Sequence, residues 1–245
     1  MNFINCMGFN VFSSNLEEIE VNNGNKILNT ISPISYGIST KDKLFRQALK
    51  ASDFLVLDGV YFGLSGILLQ GKSMIKNQGP DVFYYFMKKL NSINGKVFFL
   101  GSTNLTLEKI KLKASMDYPN VKVSYYSPPY KDEFNDDDNS IMIEKINNFQ
   151  PNILFVGMTC PKQEKWSFIN KNKIEANLTC CIGAVFDWYA GIKPIAPIWW
   201  KLRLAWLKRA IDRPEMLKRY PNIGIFFWHL SLALIGYKKY KYGNF

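Results

Sequence analysis

Apolar residues along this chain fall in short blocks separated by stretches of helical periodicity. Continuous apolar runs at Phe54 to Leu57, Val97 to Leu100, Ile153 to Val156 and Leu178 to Ile182 predict buried strands, as do the more mixed runs Lys26 to Ile31 and Val121 to Tyr125. Between them, Leu44, Phe45, Ala48 and Leu49 recur at helical spacing within Lys41 to Ala51, and residues 60–70 read as an apolar helix before the polar break Lys72 to Gln78. Helices are also predicted from Pro80 to Leu90, from Gly101-Ser102-Thr103-Asn104 through Met116, and from Asn139 to Phe149. Asn2 to Val11 reads as one weak strand, Ser13 to Val21 as a short helix capped by Ser14 or Asn15, and Asn22-Asn23-Gly24-Asn25 as a turn. Strands alternating with helices at roughly 25 to 30 residues per unit indicate an α/β fold with a doubly wound, mostly parallel sheet.

The alternation stops after Gly183. Two prolines in Lys193-Pro194-Ile195-Ala196-Pro197 break regular structure, and Trp200, Leu204, Leu207 and Ile211 then follow at helical spacing. The expected organisation is an α/β domain over 1–192 and a basic, aromatic helical appendage over 193–245. Within the appendage, Ile223 to Ile235 is densely apolar yet too short to span a bilayer comfortably. It reads either as a core helix or as a contact with a membrane surface, because Lys238, Lys239 and Lys241 follow it, interleaved with Tyr237, Tyr240 and Tyr242.

Charge sharpens this division. Of the net +11, residues 201–245 carry a surplus of eight, from ten Lys or Arg against Asp212 and Glu215, which leaves +3 for the first 200. A basic end on a nearly neutral body suits a partner bearing phosphates: a nucleotide, an anionic membrane or a nucleic acid. The four cysteines, Cys6, Cys160, Cys180 and Cys181, have no metal-finger spacing and are expected to be reduced thiols of a cytoplasmic protein. Met1 to Val11 has no basic segment followed by an apolar one, as a secretory signal would.

Candidate chemistry collects where predicted strands end. Pro151 to Trp166, P-N-I-L-F-V-G-M-T-C-P-K-Q-E-K-W, is a strand, a tight loop and a helix start, with Pro161 suited to the first helical position. Ligands gather at such carboxyl edges of parallel sheets. Gly157 and Gly101-Ser102 each end a strand before a helix, where small residues let backbone N–H groups approach an anionic or sugar ligand. Asp58, at the end of an apolar strand and followed by Gly59, can be a catalytic carboxylate or a helix cap. Asp187 is likewise a pocket residue or a cap, and Gln163 and Glu164 are either ligand contacts or ordinary first-turn residues. No G-x-G-x-x-G or P-loop pattern is present, which argues against a nicotinamide enzyme or a P-loop nucleotidase. His229, the one histidine, lies in the apolar part of the tail and reads as a packing residue, which leaves a Ser-His-Asp triad without a base. Asp136-Asp137-Asp138 follows no strand and reads as a solvated capping loop, so no bound metal is expected.

The wording of several stretches is more specific than their spacing. G-M-T-C-P-K-Q-E-K-W at 157–166 closely resembles the signature of the bacterial WecG/TagA/CpsF glycosyltransferases, and the similarity extends over most of the chain. Leu57-Asp58-Gly59 is similar to that family's D-G element, whose Asp is regarded as the general base. Thr30 matches a Thr of the family's active-site pocket, while Ser32 stands where Asn is usual. Lys76, Gly79 and Asp81 fit an R-x-x-G-x-D element with Lys for Arg. F-L-G-S at 99–102, S-P-P-Y at 127–130 and G-A-V-F-D-W-Y-A-G at 183–191 are also similar. Departures lie near the end: Ile195-Ala196-Pro197 where Arg or Lys precedes Ala-Pro or Pro-Ser, and Leu204-Ala205-Trp206 where Leu-Glu-Trp is usual.

The resemblance implies an inverting transfer of an N-acetylmannosamine-like sugar from a UDP-sugar to a polyprenyl-diphosphate-linked sugar. Such enzymes work at the inner face of the cell membrane in building wall polymer, capsule or exopolysaccharide. It implies Asp58 as base with Thr30 beside it, and a substrate site drawn from Ser32, Lys76, Gly101, Ser102, Gly157, Gln163, Glu164 and Asp187. Arg203, Arg209, Arg213 and Arg219 would stabilise the leaving diphosphate in place of a metal, with no cofactor. An anionic membrane surface is an expected partner, nucleic acid is not, and a homo-oligomer is compatible with the sequence. The competing reading is a non-catalytic basic α/β module that binds nucleic acid or anionic membrane, which would leave L-D-G and P-K-Q-E without a role.

Overall fold

The computed structural model describes residues 1–21, 24–192, 199, 211 and 214–243. Its strands are β1 (Phe3–Cys6), β2 (Phe9–Phe12), β3 (Lys26–Ile31), β4 (Phe54–Leu57), β5 (Lys96–Gly101), β6 (Lys122–Tyr126), β7 (Ile153–Gly157) and β8 (Leu178–Cys181). The helices up to residue 192 are α1 (Pro33–Lys41), α2 (Lys43–Lys50), α3 (Gly63–Gln70), α4 (Gly79–Ser92), α5 (Asn104–Asp117), α6 (Asp136–Phe149), α7 (Lys162–Asn170) and α8 (Val185–Tyr189). In the tail a 3-10 turn (Pro214–Arg219) leads to α9 (Pro221–Leu234) and α10 (Lys238–Lys241).

The strands form one sheet in the order β1-β2-β4-β3-β8-β7-β5-β6, with β1 antiparallel to β2 and every other pairing parallel. Strands β4 and β7 are apolar along their length, and β5 is so after Lys96, because both faces of the sheet are covered. On one face Phe83 and Phe86 of α4, Leu107 and Ile110 of α5, and Phe186 and Tyr189 of α8 meet Leu28, Val56, Phe99 and Phe155. On the other, Tyr36 and Phe45 lie over Ile31, Leu55 and Leu57, while Met142, Ile146 and Trp166 lie over Leu100, Leu154 and Val156. The chain leaves β5 toward β6 and leaves β7 toward β8, in opposite directions, so the carboxyl ends of β5 and β7 flank a switch point of the kind where ligands bind.

The expected α/β class and parallel sheet are present, and several local readings change. The predicted strand Asn2 to Val11 is a hairpin, because Met7 (φ 49°) and Gly8 (φ 82°) turn the chain back on itself. Ser13 to Val21 holds only a 3-10 turn at Leu16–Glu18, with Ser14 Oγ accepting from Asn2 N instead of capping it. The segment after Ser32 is helical: Ser32 and Ser35 bond reciprocally at the start of α1, a capping box, and Asp42 caps α2 through Phe45 N (2.9 Å). Asp136–Asp138 belongs to the first turn of α6, where Asp138 bonds Asn135 N (3.0 Å), pairs with Lys131 and complements the positive helix end. The cysteines are free thiols.

The apolar segment of the tail is docked on the body. Helix α9 buries Phe226, Leu230 and Ala233. Tyr36 meets Phe226 edge-on, with ring centres 5.5 Å apart, and its hydroxyl lies 3.1 Å from Nδ1 of His229. His229, whose ring also meets that of Tyr240 at a tilt of 41°, is a packing residue whose pKa burial holds below the usual histidine value. Phe227, Trp228, Leu234 and Ile235 remain exposed on the outer side. Among the described residues no helix is long and apolar enough to cross a membrane. The spaced residues Trp200, Leu204 and Leu207, and the basic side chains Arg203, Arg209 and Arg213, lie outside the described residues, as does the predicted break at 193–198.

Candidate active site

The carboxyl edge of the sheet brings most of the predicted site residues into one row. Register pairs Thr30 with Val56 and Ile31 with Leu57, so Ser32 and Asp58 come next, side by side, and Asp58 N donates to Ile31 O (2.9 Å). Side chains alternate across a strand, which puts Thr30 and Asp58 on the face of Leu28, Phe54 and Val56, toward the α4–α5–α8 layer. Lys76 forms a parallel bridge with Leu57, and Asn77 N donates to Leu57 O (3.2 Å), so the segment before α4 continues this edge beside Asp58. Lys76 itself is exposed. Gly79 and Asp81, matched with Lys76, have structural work: Asp81 Oδ2 accepts from Gln78 N (2.9 Å), and Gly79 admits Val185 of α8. Ser32 likewise closes the cap of α1.

The second group lies three strand positions away, roughly 14 Å at about 4.8 Å per strand. Gly101 and Gly157 pair across β5 and β7, and Ser102 N donates to Gly157 O (3.1 Å). Gly101 has φ 112°, and a Cβ there would sit 2.6 Å from Gly157 O; a Cβ on Gly157 would enter the Phe186 ring at 2.4 Å. Both glycines are thus required by close packing, of β5 on β7 and of β7 on α8, which carries the half-buried Asp187. Asp187, read as a pocket residue or a cap, is within the helix, not before it.

Below the same edge, α7 begins after Pro161 with Gln163 and Glu164 both buried, although their positions in a first helical turn suggested solvent. Glu164, 2% exposed, accepts from Gln163 Nε2 (2.9 Å) through Oε1, while its Oε2 and the Gln163 Oε1 have no hydrogen-bond partner among the described residues. The Gln163 Oε1 lies under Gly183, 2.8 Å from where a Cβ would be. Burial pushes the Glu164 carboxyl up to about 7, against the lowering effects of Gln163, the backbone, Cys160 and the Arg219 charge. Burial also raises the Cys160 thiol, which the Arg219 charge opposes. Arg219 thus brings the tail's charge to the start of α7. Among the described residues no three His, Cys, Asp or Glu side chains gather as metal ligands.

A buried carboxyl with a raised pKa makes stability depend on pH. The folded state holds the Glu164 proton up to about 7 while the unfolded chain, with the ordinary glutamate value of 4.5, loses it earlier. The folded state therefore binds more protons between those values, and stability falls as pH rises through this window, by about 3 kcal/mol at most. Glu164→Gln keeps the shape and removes the titration. Melting temperatures of parent and variant from pH 4.5 to 8 should diverge upward for the variant as pH rises; parallel curves would mean the carboxyl titrates normally.

The family model described as Glycosyl transferase WecG/TagA/CpsF family matches residues 4–240. The chain is 26% identical over 218 residues to the N-acetylglucosaminyldiphosphoundecaprenol N-acetyl-beta-D-mannosaminyltransferase of Staphylococcus aureus strain NCTC 8325 / PS 47, covering 89% of this chain and 84% of that protein. Proteins of the same name from strains N315 and MRSA252 match to the same extent.

Proposed function

The chain belongs to the WecG/TagA/CpsF family of glycosyl transferases, and from that premise we propose that it moves N-acetylmannosamine, or a closely similar sugar, from a UDP-sugar to a polyprenyl-diphosphate-linked N-acetylglucosamine. Membership makes it a glycosyltransferase and sets aside the non-catalytic reading. The acceptor follows from the names of the relatives, and the donor from the family resemblance. The observation that carries the reading is the placement of Asp58 at the carboxyl edge of the sheet, three strands from the switch point at Gly101 and Gly157, a span that one extended nucleotide sugar can bridge.

In this mechanism a hydroxyl of the acceptor sugar attacks the anomeric carbon of the donor as the bond to the β-phosphate oxygen breaks. Asp58 takes the hydroxyl proton, UDP leaves with the bonding pair, and the anomeric carbon inverts. Thr30, on the same face, positions the acceptor with Ser32 and Lys76. Gly101, Ser102 and Gly157 receive the donor, and the orphaned oxygens of Gln163 and Glu164 accept hydrogen bonds from its uracil or sugar, with Asp187 of α8 beside them. Charge on the departing diphosphate is offset by Arg219, which lies near Glu164 and Cys160, and by Arg203, Arg209 and Arg213. The 193–245 appendage serves both sites: its arginines complete the donor pocket, and the outer side of α9 with Lys238, Lys239 and Lys241 rests on an anionic membrane at its inner face.

Incubation with UDP-N-acetylmannosamine and the lipid-linked acceptor should yield a disaccharide lipid, detected by mass spectrometry as one added sugar residue. Absence of product with this pair and with other UDP-sugars would overturn the reading. The same reaction should proceed in excess EDTA, because arginines supply the positive charge. Loss of product on chelation, restored by Mg²⁺ or Mn²⁺, would assign that charge to a metal.

A further inference from the structure

Helix α3 is built inside out. Its buried residues are Gly63, Ser65 and Gly66, while Leu64, Ile67 and Leu68 are 38%, 51% and 54% exposed, with Tyr61 just before it and Ile75 just after it also exposed. A surface helix of a globular protein normally turns its bulky apolar residues inward. Here the small ones face in because the helix lies close on the body. A Cβ on Gly63 would stand 3.1 Å from Leu57, and one on Gly66 2.8 Å from Met74. Ser65 Oγ donates to Phe62 O (2.6 Å) and accepts from Cys6 Sγ (3.1 Å). The outward leucines have no internal task, and contiguous exposed apolar surface of this kind marks a binding face.

We propose that the outer face of α3 binds the first isoprenoid units of the lipid-linked acceptor. This rests on the acceptor class proposed above. The acceptor is a sugar, then a diphosphate, then an apolar chain, and the protein presents matching groups around the end of β4, with Asp58 turned toward one face of the sheet and α3 lying over the other. Asp58 directly follows β4; Lys76 is bridged to Leu57 and exposed; Lys72, also exposed, follows the Gly71 cap of α3. Gly59 (φ 80°) turns the chain away from Asp58, and α3 then extends about 12 Å at 1.5 Å per residue, a length suited to the start of a prenyl chain. Beneath α3 the buried rings of Phe62 and Phe226 meet at 5.4 Å and tie this helix to α9, on which Phe227 and Trp228 are exposed. On this proposal the prenyl chain leaves the edge near Asp58 and runs over α3 toward α9.

The test is the ratio of kcat/KM for a long-chain polyprenyl acceptor to that for a water-soluble analogue with a short alkyl tail, in the full chain. Leu64→Ser, Ile67→Ser and Leu68→Ser together should lower that ratio about tenfold or more, through KM for the long acceptor, because three apolar contacts are lost. Leu112→Ser, exposed on α5 at the opposite face, should leave it unchanged. The single variant Ile67→Ser gives the same ratio in smaller measure if the triple variant does not fold. An unchanged ratio overturns the proposal. So does a triple variant that loses binding to phosphatidylglycerol vesicles without acceptor as fully as it loses the ratio, which would make α3 a general bilayer contact. A parent dimer that the triple variant converts to monomers in sedimentation would also overturn it, as a self-association face. If the parent transfers to neither acceptor, the proposed function itself fails; a parent active on both with an unchanged ratio fails only here.

Discussion

Asp58→Asn should lower transfer by about a hundred- to ten-thousand-fold while leaving UDP binding nearly intact. The change is almost isosteric and removes the group that accepts the acceptor's proton, a role worth that range in rate. The backbone around it should not move, since the main-chain bond to Ile31 and the pairing of β3 with β4 are made without the side chain. Single-turnover transfer together with UDP titration by calorimetry separates the two effects. Turnover within a few-fold of the parent would make Asp58 a structural residue of the Gly59 turn and move the base elsewhere on the edge.

Phe226→Ala should cost about 3 to 5 kcal/mol of folding free energy, the range for emptying a fully buried aromatic site. Phe226 is 0% exposed and sits among Tyr36, Phe62 and Phe227 at ring separations of 5.5, 5.4 and 5.1 Å. Urea unfolding followed by circular dichroism reads the loss directly. A cost below about 1 kcal/mol would show that α9 is only loosely held, and that its apolar residues serve something other than this core. The prediction separates the two roles that the sequence left open for Ile223 to Ile235, because Phe226 points inward while Trp228 on the same helix does not.

How much was legible follows from what each element depends on. Strands β4, β5 and β7 were readable because a strand covered on both faces reads as a nearly continuous apolar run, whatever its neighbours are. Helix α1 was not. Ile34, Ile38 and Thr40 are poor helix formers, and Gly37 belongs there because Asn222 of α9 presses on it, with a Cβ meeting Asn222 O at 2.4 Å. That reason lies 185 residues away in the chain. The opening hairpin hid behind Met7, a residue type that rarely takes a left-handed turn. At the site, Asp58 could be singled out by its position after an apolar run. The burial of Gln163 and Glu164 depends on how α7 meets β8 and the tail, and the outward leucines of α3 depend on the glycines beneath them. Periodicity records that a helix has two sides, not which one faces water.

The docking of α9 on α1 also bears on how this molecule is made. Tyr36 and His229 touch across 193 residues of chain, as do Lys50 and Gly243, whose carbonyl accepts from Lys50 Nζ at 3.5 Å. During synthesis the sheet and its first helices leave the ribosome well before the segment that covers Tyr36 and Phe62. A nascent chain arrested near residue 200 therefore displays an aromatic surface that only later residues can close, and non-local closure of this kind is slow and prone to association. Chaperone dependence should be concentrated in that interval of translation and end once Phe226 emerges.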